Sequence, residues 1–257
     1  MRTVSNAWFR SPLPRPGARF ILVCFPHAGG AASFFRPWTK YLPSSVELWA
    51  VQYPGREDRI DEPCTEDLHQ LADLISDSLT PVAGRSFALF GHSMGATVSY
   101  EVAIRLQRRW RHAPHALFVS ASAAPSPCPH AVREWEDDDL LAEMRKLGGT
   151  SDELLARPEL HALVLASVRE DYRMAERYRP RSEQLLTCPV TGLVGDRDPK
   201  ASISAVRGWA RFTRGNFDLH LFAGDHFYLV PRRDEVIMEI LHKLGAYSGT
   251  AARWSTP

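Results

Sequence analysis

Six apolar runs punctuate the chain: FILVCF (Phe20 to Phe25), VELWAVQ (Val46 to Gln52), FALFG (Phe87 to Gly91), ALFVSA (Ala116 to Ala121), VTGLVG (Val190 to Gly195) and DLHLFA (Asp218 to Ala223). Each spans five to seven residues and is bounded by Gly, Pro or polar residues. Short bounded apolar runs of this kind are characteristic of central strands covered on both faces. The segments between them carry helical patterns. Leu68, Leu71, Ala72, Ile75 and Leu79 share one helical face, after Thr65 as the expected N-cap. Further helices are predicted from Met94 to Arg108 and from Asp234 to Leu244. Strands alternating with helices give a parallel sheet with helices on both faces, the α/β class.

One stretch departs from this alternation. From Ser126 to Arg181 there is no strand candidate. DDDLLAEMRKL (Asp137 to Leu147) opens with three acids, which favour a helix N-terminus, and Gly148 and Gly149 stop it. A longer helix is predicted from Pro158 through HALVLASVREDYRMAERY. A helical insertion of this length between two strands reads as a lid over the strand ends, where open α/β sheets bind ligands.

The length of 257 residues fits a single domain over 1–257 with room for a full core. With 31 basic and 30 acidic residues the formal net charge is +1, which lacks the basic excess that nucleic-acid binding needs. The basic run RLQRRWRH (Arg105 to His112) reads as the solvated end of a helix. Cys24, Cys64, Cys128 and Cys188 are widely spaced, with no CxxC pair, as in a reduced cytoplasmic protein rather than a disulfide scaffold or zinc site. No run approaches the ~20 apolar residues of a membrane helix, and the first 17 residues contain no apolar signal core. The polar tail at 248–257 is expected to be flexible, and a monomer is the default state.

The sharpest chemical signal is Gly91-His92-Ser93-Met94-Gly95. It matches G-x-S-x-G, with a strand before it and an amphipathic helix after it, the context this motif requires. Small flanks let backbone segments pass closely, and the strained turn pushes the Ser93 hydroxyl out above the sheet. The Met94 N–H, at the start of the helix, points where an oxyanion would develop. A serine needs a base and a group to orient that base, and in this arrangement the chain order is Ser, acid, His. The strand at Val190 ends in GDRDP, offering Asp196 and Asp198. Asp198 is favoured because the loop needs a few residues to carry a carboxylate out, and Asp196 is expected to bond its own backbone in a turn. Gly224-Asp225-His226 follows the last strand and makes His226 the base. His92 is read as a packing or hydrogen-bonding residue, and His220, within the last strand, as a surface or packing residue. The glycine-rich loop FPHAGG (Phe25 to Gly30) supplies a second oxyanion donor, the Ala28 N–H, with His27 bracing the loop. No metal-ligand spacing or nucleotide-binding glycine motif is present in the sequence, so neither metal nor cofactor is expected.

FPHAGG, QYPGRE (Gln52 to Glu57), GHSMG, GDRDP and GDHF (Gly224 to Phe227) occur together and in order. The chain from about Phe20 to Leu244 thereby resembles the type II thioesterases, free-standing α/β-hydrolases that accompany polyketide and non-ribosomal peptide synthases. The resemblance implies a Ser93–His226–Asp198 triad, an oxyanion hole at Ala28 and Met94, and a mobile lid at about 126–181. It implies as partners carrier protein domains bearing acyl thioesters on phosphopantetheine, from which stalled or misprimed units are cleared. Asp225 departs from the glycine common beside the family's histidine. QYPGRE is read as a strand-end loop shaping the site wall. Arg173, Arg177, Arg179 and Arg181, with Arg56 and Arg59, are candidate contacts to an acidic carrier. The same site chemistry would also serve a carboxylesterase or lipase, or an acyltransferase or cyclase; a non-catalytic carrier binder would leave the triad without a purpose.

Overall fold

The computed structural model describes residues 7–82, 84–110, 113–126, 132–148, 158–181 and 184–246. Cys128, parts of the expected lid and the expected tail at 248–257 lie outside them.

All six apolar runs are strands. In chain order the strands are β1 (Phe9–Arg10), β2 (Phe20–Phe25), β3 (Val46–Val51), β4 (Ser86–His92), β5 (Leu117–Ser120), β6 (Val190–Gly195) and β7 (Phe217–Phe222). They form one sheet in the order β1-β3-β2-β4-β5-β6-β7. Every pairing is parallel except β1 with β3, which is antiparallel. Two-residue β1 is invisible to periodicity because it spans a single period of a strand and no pattern can repeat within it.

The helices are α1 (Leu68–Ser78), α2 (Met94–Trp110), α3 (Asp137–Leu147), α4 (Pro158–Arg177), α5 (Ile203–Arg207) and α6 (Arg233–Lys243), with a 3-10 segment at Ala32–Lys40. The cap of α1 is Asp67 rather than Thr65: its carboxylate accepts the N–H groups of His69 and Gln70. An aspartate immediately before the first helical residue reaches the free donors of the first turn, which Thr65, two positions further back, does not.

Strand side chains alternate between two cores. Ile21, Val23, Phe25 and Leu89 pack with α1 and α2 on one face. Phe20, Leu22, Cys24, Ala88 and Phe90 pack with Phe35, Trp38 and α6 on the other. The period of two along a strand, with both faces covered, accounts for the unbroken apolar runs. At the β7 edge the pattern becomes alternating, and His220 is exposed beside Glu239. The α3–α4 insertion between β5 and β6 carries its own small cluster of Trp135, Leu140, Leu165, Val168 and Tyr172. No helix among the described residues is long and apolar enough to cross a membrane.

Candidate active site

Ser93 sits between the end of β4 and the start of α2 with φ at 55°. This left-handed conformation is unusual for a residue with a side chain and marks stored strain at a sharp turn. The flanking glycines are required by close approach. A Cβ on Gly91 would overlap the Gly95 carbonyl, and a Cβ on Gly95 would overlap the Phe25 and Pro26 carbonyls. The turn is fastened from the neighbouring strand by the Ser93 N–H, which donates to the Ser120 carbonyl at 2.8 Å.

The three side chains expected to act together meet here. His226 Nε2 lies 3.0 Å from Ser93 Oγ, and His226 Nδ1 lies 2.9 Å from Asp198 Oδ2. His226 and Asp198 are buried, with side-chain exposures of 1% and 0%; Ser93 is only half-buried and lines the cavity. Burial works against a charged Asp198. Hydrogen bonding with His226 and the N–H groups of Ala201 and Lys200 outweighs it, and the carboxyl is held below its ordinary pKa. Asp198 is therefore ionised and able to orient and stabilise an imidazolium.

Asp196 does something other than turn formation within its own segment. Its Oδ1 accepts the Gly224 N–H at 2.9 Å, tying the loop that carries Asp198 to the loop that carries His226. Asp225 accepts the Phe227 N–H at 2.9 Å, a local turn that a glycine could not make.

His92 is fully buried, and its Nδ1 lies 2.9 Å from Ser120 Oγ, which in turn is 2.7 Å from the Tyr228 hydroxyl. Burial, with His226 and His27 nearby, holds its pKa well below the ordinary value. His27 is lowered to about 3 by burial, by His226 and by Arg56. Its ring is wedged edge-on between Phe34 and Phe227, each at 4.8 Å. Both imidazoles are therefore neutral where they pack beside His226.

Ala28 and Met94 both line the cavity onto which Ser93 opens. Among the described residues neither backbone N–H has an acceptor within the fold. The cavity measures about 440 Å³, within the usual range for small-molecule sites. Its walls are the small residues Ala121 to Ala124 after β5, and Trp135, Tyr172 and Tyr178 of the insertion, with Glu143, Glu176 and Lys200 as its charged groups. The insertion thus covers the strand ends above Ser93.

Arg56 and Arg59 are not surface contacts. They are 6% and 8% exposed. Arg56 forms a buried bidentate pair with Asp171 of α4, and Arg59 pairs with Glu62 and stacks on the Trp8 ring at 4.3 Å. By charge alone an arginine in a loop belongs at the surface; Glu62 is three residues from Arg59, but nothing in the local sequence marks Asp171 as the partner of Arg56. Arg173 pairs with Glu170, and Arg181 with Asp67, at the surface.

A second buried cluster is not evident from sequence. Glu101 of α2 lies 3.3 Å from His69 Nδ1 and accepts hydrogen bonds from Arg105 and the Tyr178 hydroxyl. His69 Nε2 is 2.8 Å from the Arg179 carbonyl. This cluster fastens α1 and α2 to the C-terminal end of the insertion. A histidine and a glutamate on otherwise apolar helix faces are the available signal.

The thioesterase domain family model matches residues 20–244. Thioesterase PikA5 of Streptomyces venezuelae is 42% identical over 98% of this chain and 96% of its own length. The solved type II thioesterase BorB from the borrelidin biosynthetic cluster is 40% identical, with a TM-score of 0.86 over 95% of this chain and all of its own. YbtT, the type II thioesterase of the yersiniabactin NRPS/PKS pathway, is 31% identical with a TM-score of 0.82, covering 94% of this chain and 100% of its own. With the parallel sheet, the serine turn and the helical insertion, these matches identify the chain as a member of the thioesterase family, a type II thioesterase of the α/β-hydrolase fold that hydrolyses thioesters.

Proposed function

We propose that the enzyme hydrolyses acyl groups held as thioesters on the phosphopantetheine arm of carrier protein domains, clearing stalled or misprimed units in polyketide or non-ribosomal peptide assembly, and that it works as a cytoplasmic monomer. Ser93 is the nucleophile, His226 the base and Asp198 the residue that orients His226. The observation that carries the reading is the hydrogen-bonded line Asp198–His226–Ser93, at 2.9 and 3.0 Å, opening on a cavity with two backbone donors to spare.

As Ser93 Oγ attacks the thioester carbonyl, His226 Nε2 takes its proton. Asp198 holds the Nδ1–H tautomer and stabilises the cation. The Ala28 and Met94 N–H groups receive the oxyanion; one such donor is worth about 3 kcal/mol. The C–S bond then breaks. A thiol pKa near ~8.5 makes the pantetheine sulfur a good leaving group, and His226 returns the proton. Water, deprotonated by His226, attacks the acyl-Ser93 ester; the bond from the acyl carbon to Ser93 Oγ breaks, His226 returns the proton to Oγ, and the free acid leaves. The α3–α4 insertion acts as a lid that keeps bulk water from the acyl-enzyme.

The test uses one acyl group on three carriers: a phosphopantetheinylated carrier protein, coenzyme A and a simple alcohol. The carrier protein form is expected to have the highest kcat/KM, and Ser93→Ala is expected to be inactive on all three while remaining folded. An oxygen ester that serves as well as the thioester makes the enzyme a general esterase. Turnover by Ser93→Ala removes the triad assignment.

A further inference from the structure

The motif QYPGRE has no group near the reacting atoms, yet it is built into the site from behind. Arg56 Nη1 and Nη2 bind Asp171 Oδ2 and Oδ1 at 2.6 and 3.0 Å. Both side chains are buried, with exposures of 7% and 4%. Asp171 Oδ2 also accepts the Gly29 N–H at 2.7 Å, and Arg56 Nη1 donates to the Gly30 carbonyl at 3.2 Å. One ion pair therefore holds both glycines of FPHAGG. Gln52, fully buried, completes the frame: it accepts the Ala32 N–H and donates to the Arg56 carbonyl. The loop also lies directly on α4. Gly29 has φ at 74°, and a Cβ there would overlap Val168 of that helix, while Ala28 packs against the insertion's cluster.

We propose that Asp171, clamped by Arg56, is a positioning residue for the oxyanion hole, so that seating of α4 and correct placement of the Ala28 N–H are one event. The inference rests on Ala28 being an oxyanion donor. The Gly29 N–H belongs to the peptide plane that comes after Ala28. Fixing that plane fixes the backbone on the C-terminal side of Ala28, and the preceding plane carries the Ala28 N–H. Apolar contact with Val168 supplies adhesion but no direction. A bidentate arginine–carboxylate pair supplies direction. Burying such a pair brings little net stability, because desolvation offsets the attraction, so adhesion alone gives no reason for charges at this point. Neither side chain contacts Ser93, His226 or Asp198 through a hydrogen bond. Their hydrogen-bonded connection toward the site runs through Gly29 and Gly30 of the loop.

The experiment compares Asp171→Ala, Asp171→Asn and Arg56→Lys with wild type on an acyl-coenzyme A thioester, and measures the Ki of an alkyl boronic acid that forms a tetrahedral adduct on Ser93. Asp171→Ala is expected to lower kcat by about 10- to 100-fold, the scale of a misplacement near 1 Å, with little change in KM and a matching rise in boronate Ki. Asp171→Asn keeps an acceptor for the Gly29 N–H and loses less. Arg56→Lys keeps the charge but not the fork, and gives the same signature if Asp171→Ala does not fold. A purely structural role would lower Tm and leave kcat per folded site and boronate Ki unchanged, and that result overturns the proposal. Replacing Ala28 by its α-hydroxy analogue, which removes only the N–H, separates the two readings. If that ester variant has wild-type kcat, the Ala28 assignment fails. If it is impaired, Asp171→Ala is expected to add no further loss to it, and a full additional loss refutes positioning through Ala28.

Discussion

Gly95→Ala probes one of the two closest backbone approaches at the serine turn, the other being at Gly91. A Cβ on Gly95 would overlap the carbonyls of Phe25 and Pro26. Both are main-chain atoms at the end of β2, where Phe25 is fully buried and in register with Gly91 of β4, so no flexible side chain is available to yield. Restoring ordinary C···O contact of about 3.3 Å requires the end of β2 and the first turn of α2 to part by roughly 1 Å. Overpacking of this kind costs about 1–3 kcal/mol. At about 2–4 °C of Tm per kcal/mol for a chain of this size, the loss is roughly 2–12 °C. The same movement separates Ala28, three residues beyond Phe25, from Met94, which precedes Gly95. With the Ala28 and Met94 N–H groups as the proposed oxyanion donors, a displacement near 1 Å is expected to lower kcat by on the order of 100-fold. Thermal unfolding and steady-state hydrolysis of an acyl thioester measure the two effects on one preparation. Gly17→Ala is the control: a Cβ there meets nothing within 4 Å, and both quantities are expected to stay within the small range of surface substitutions, about 0.5 kcal/mol. A Gly95→Ala enzyme with wild-type Tm and kcat refutes the argument that this contact sets the spacing of the two donors.

Asp198→Asn is expected to fold normally, since an amide oxygen can still accept the Lys200 and Ala201 N–H groups, while kcat drops by roughly 10⁴-fold because His226 loses its tautomer and its counter-charge; retention of more than a tenth of kcat contradicts the orienting role. His69 gives a pH-dependent prediction. Burial and Arg181 oppose its charge, but Glu101 and the Arg179 carbonyl prevail and its pKa is raised. A raised folded-state pKa means stability that is fully present below the unfolded value of ~6.5 and is lost as pH rises through the folded value. The unfolding free-energy gap between wild type and His69→Gln is therefore expected to be larger at pH 6 than at pH 9, and equal gaps at the two pH values would refute the charged pair.

The sheet and the meeting of Ser93, His226 and Asp198 at one point are legible in the sequence because each depends on short-range pattern. A strand buried on both faces needs a continuous apolar run, and a serine on a strand-to-helix turn needs small flanks. Topology then places the loops at the strand ends: Asp198 and His226 come after β6 and β7, which are neighbours in the sheet. The illegible features depend on residues far apart in the chain. Asp196 reads as a former of its own turn because nothing local shows that Gly224 lies above it. Thr65 suits a cap by residue type, although Asp67 stands closer to the first helical residue.

The two parts of the sequence with no assigned chemistry, QYPGRE and the α3–α4 insertion, explain each other. An isolated arginine in a strand-end loop reads as solvated, and an isolated aspartate in a helix reads the same way. Asp171 nonetheless stands beside Tyr172 and three residues after Val168, both members of the insertion's apolar cluster. A carboxylate on that stripe must find a cation, because an unpaired buried charge costs several kcal/mol. Arg56 and Asp171 stand 115 positions apart, so no periodicity connects them; the common element is the glycine loop both touch. A lid that served only to exclude water would need an apolar underside and no charge at all. The buried pair beneath this one is accounted for if the insertion also sets the geometry of the oxyanion loop, so that acyl-enzyme chemistry begins only with α4 in place.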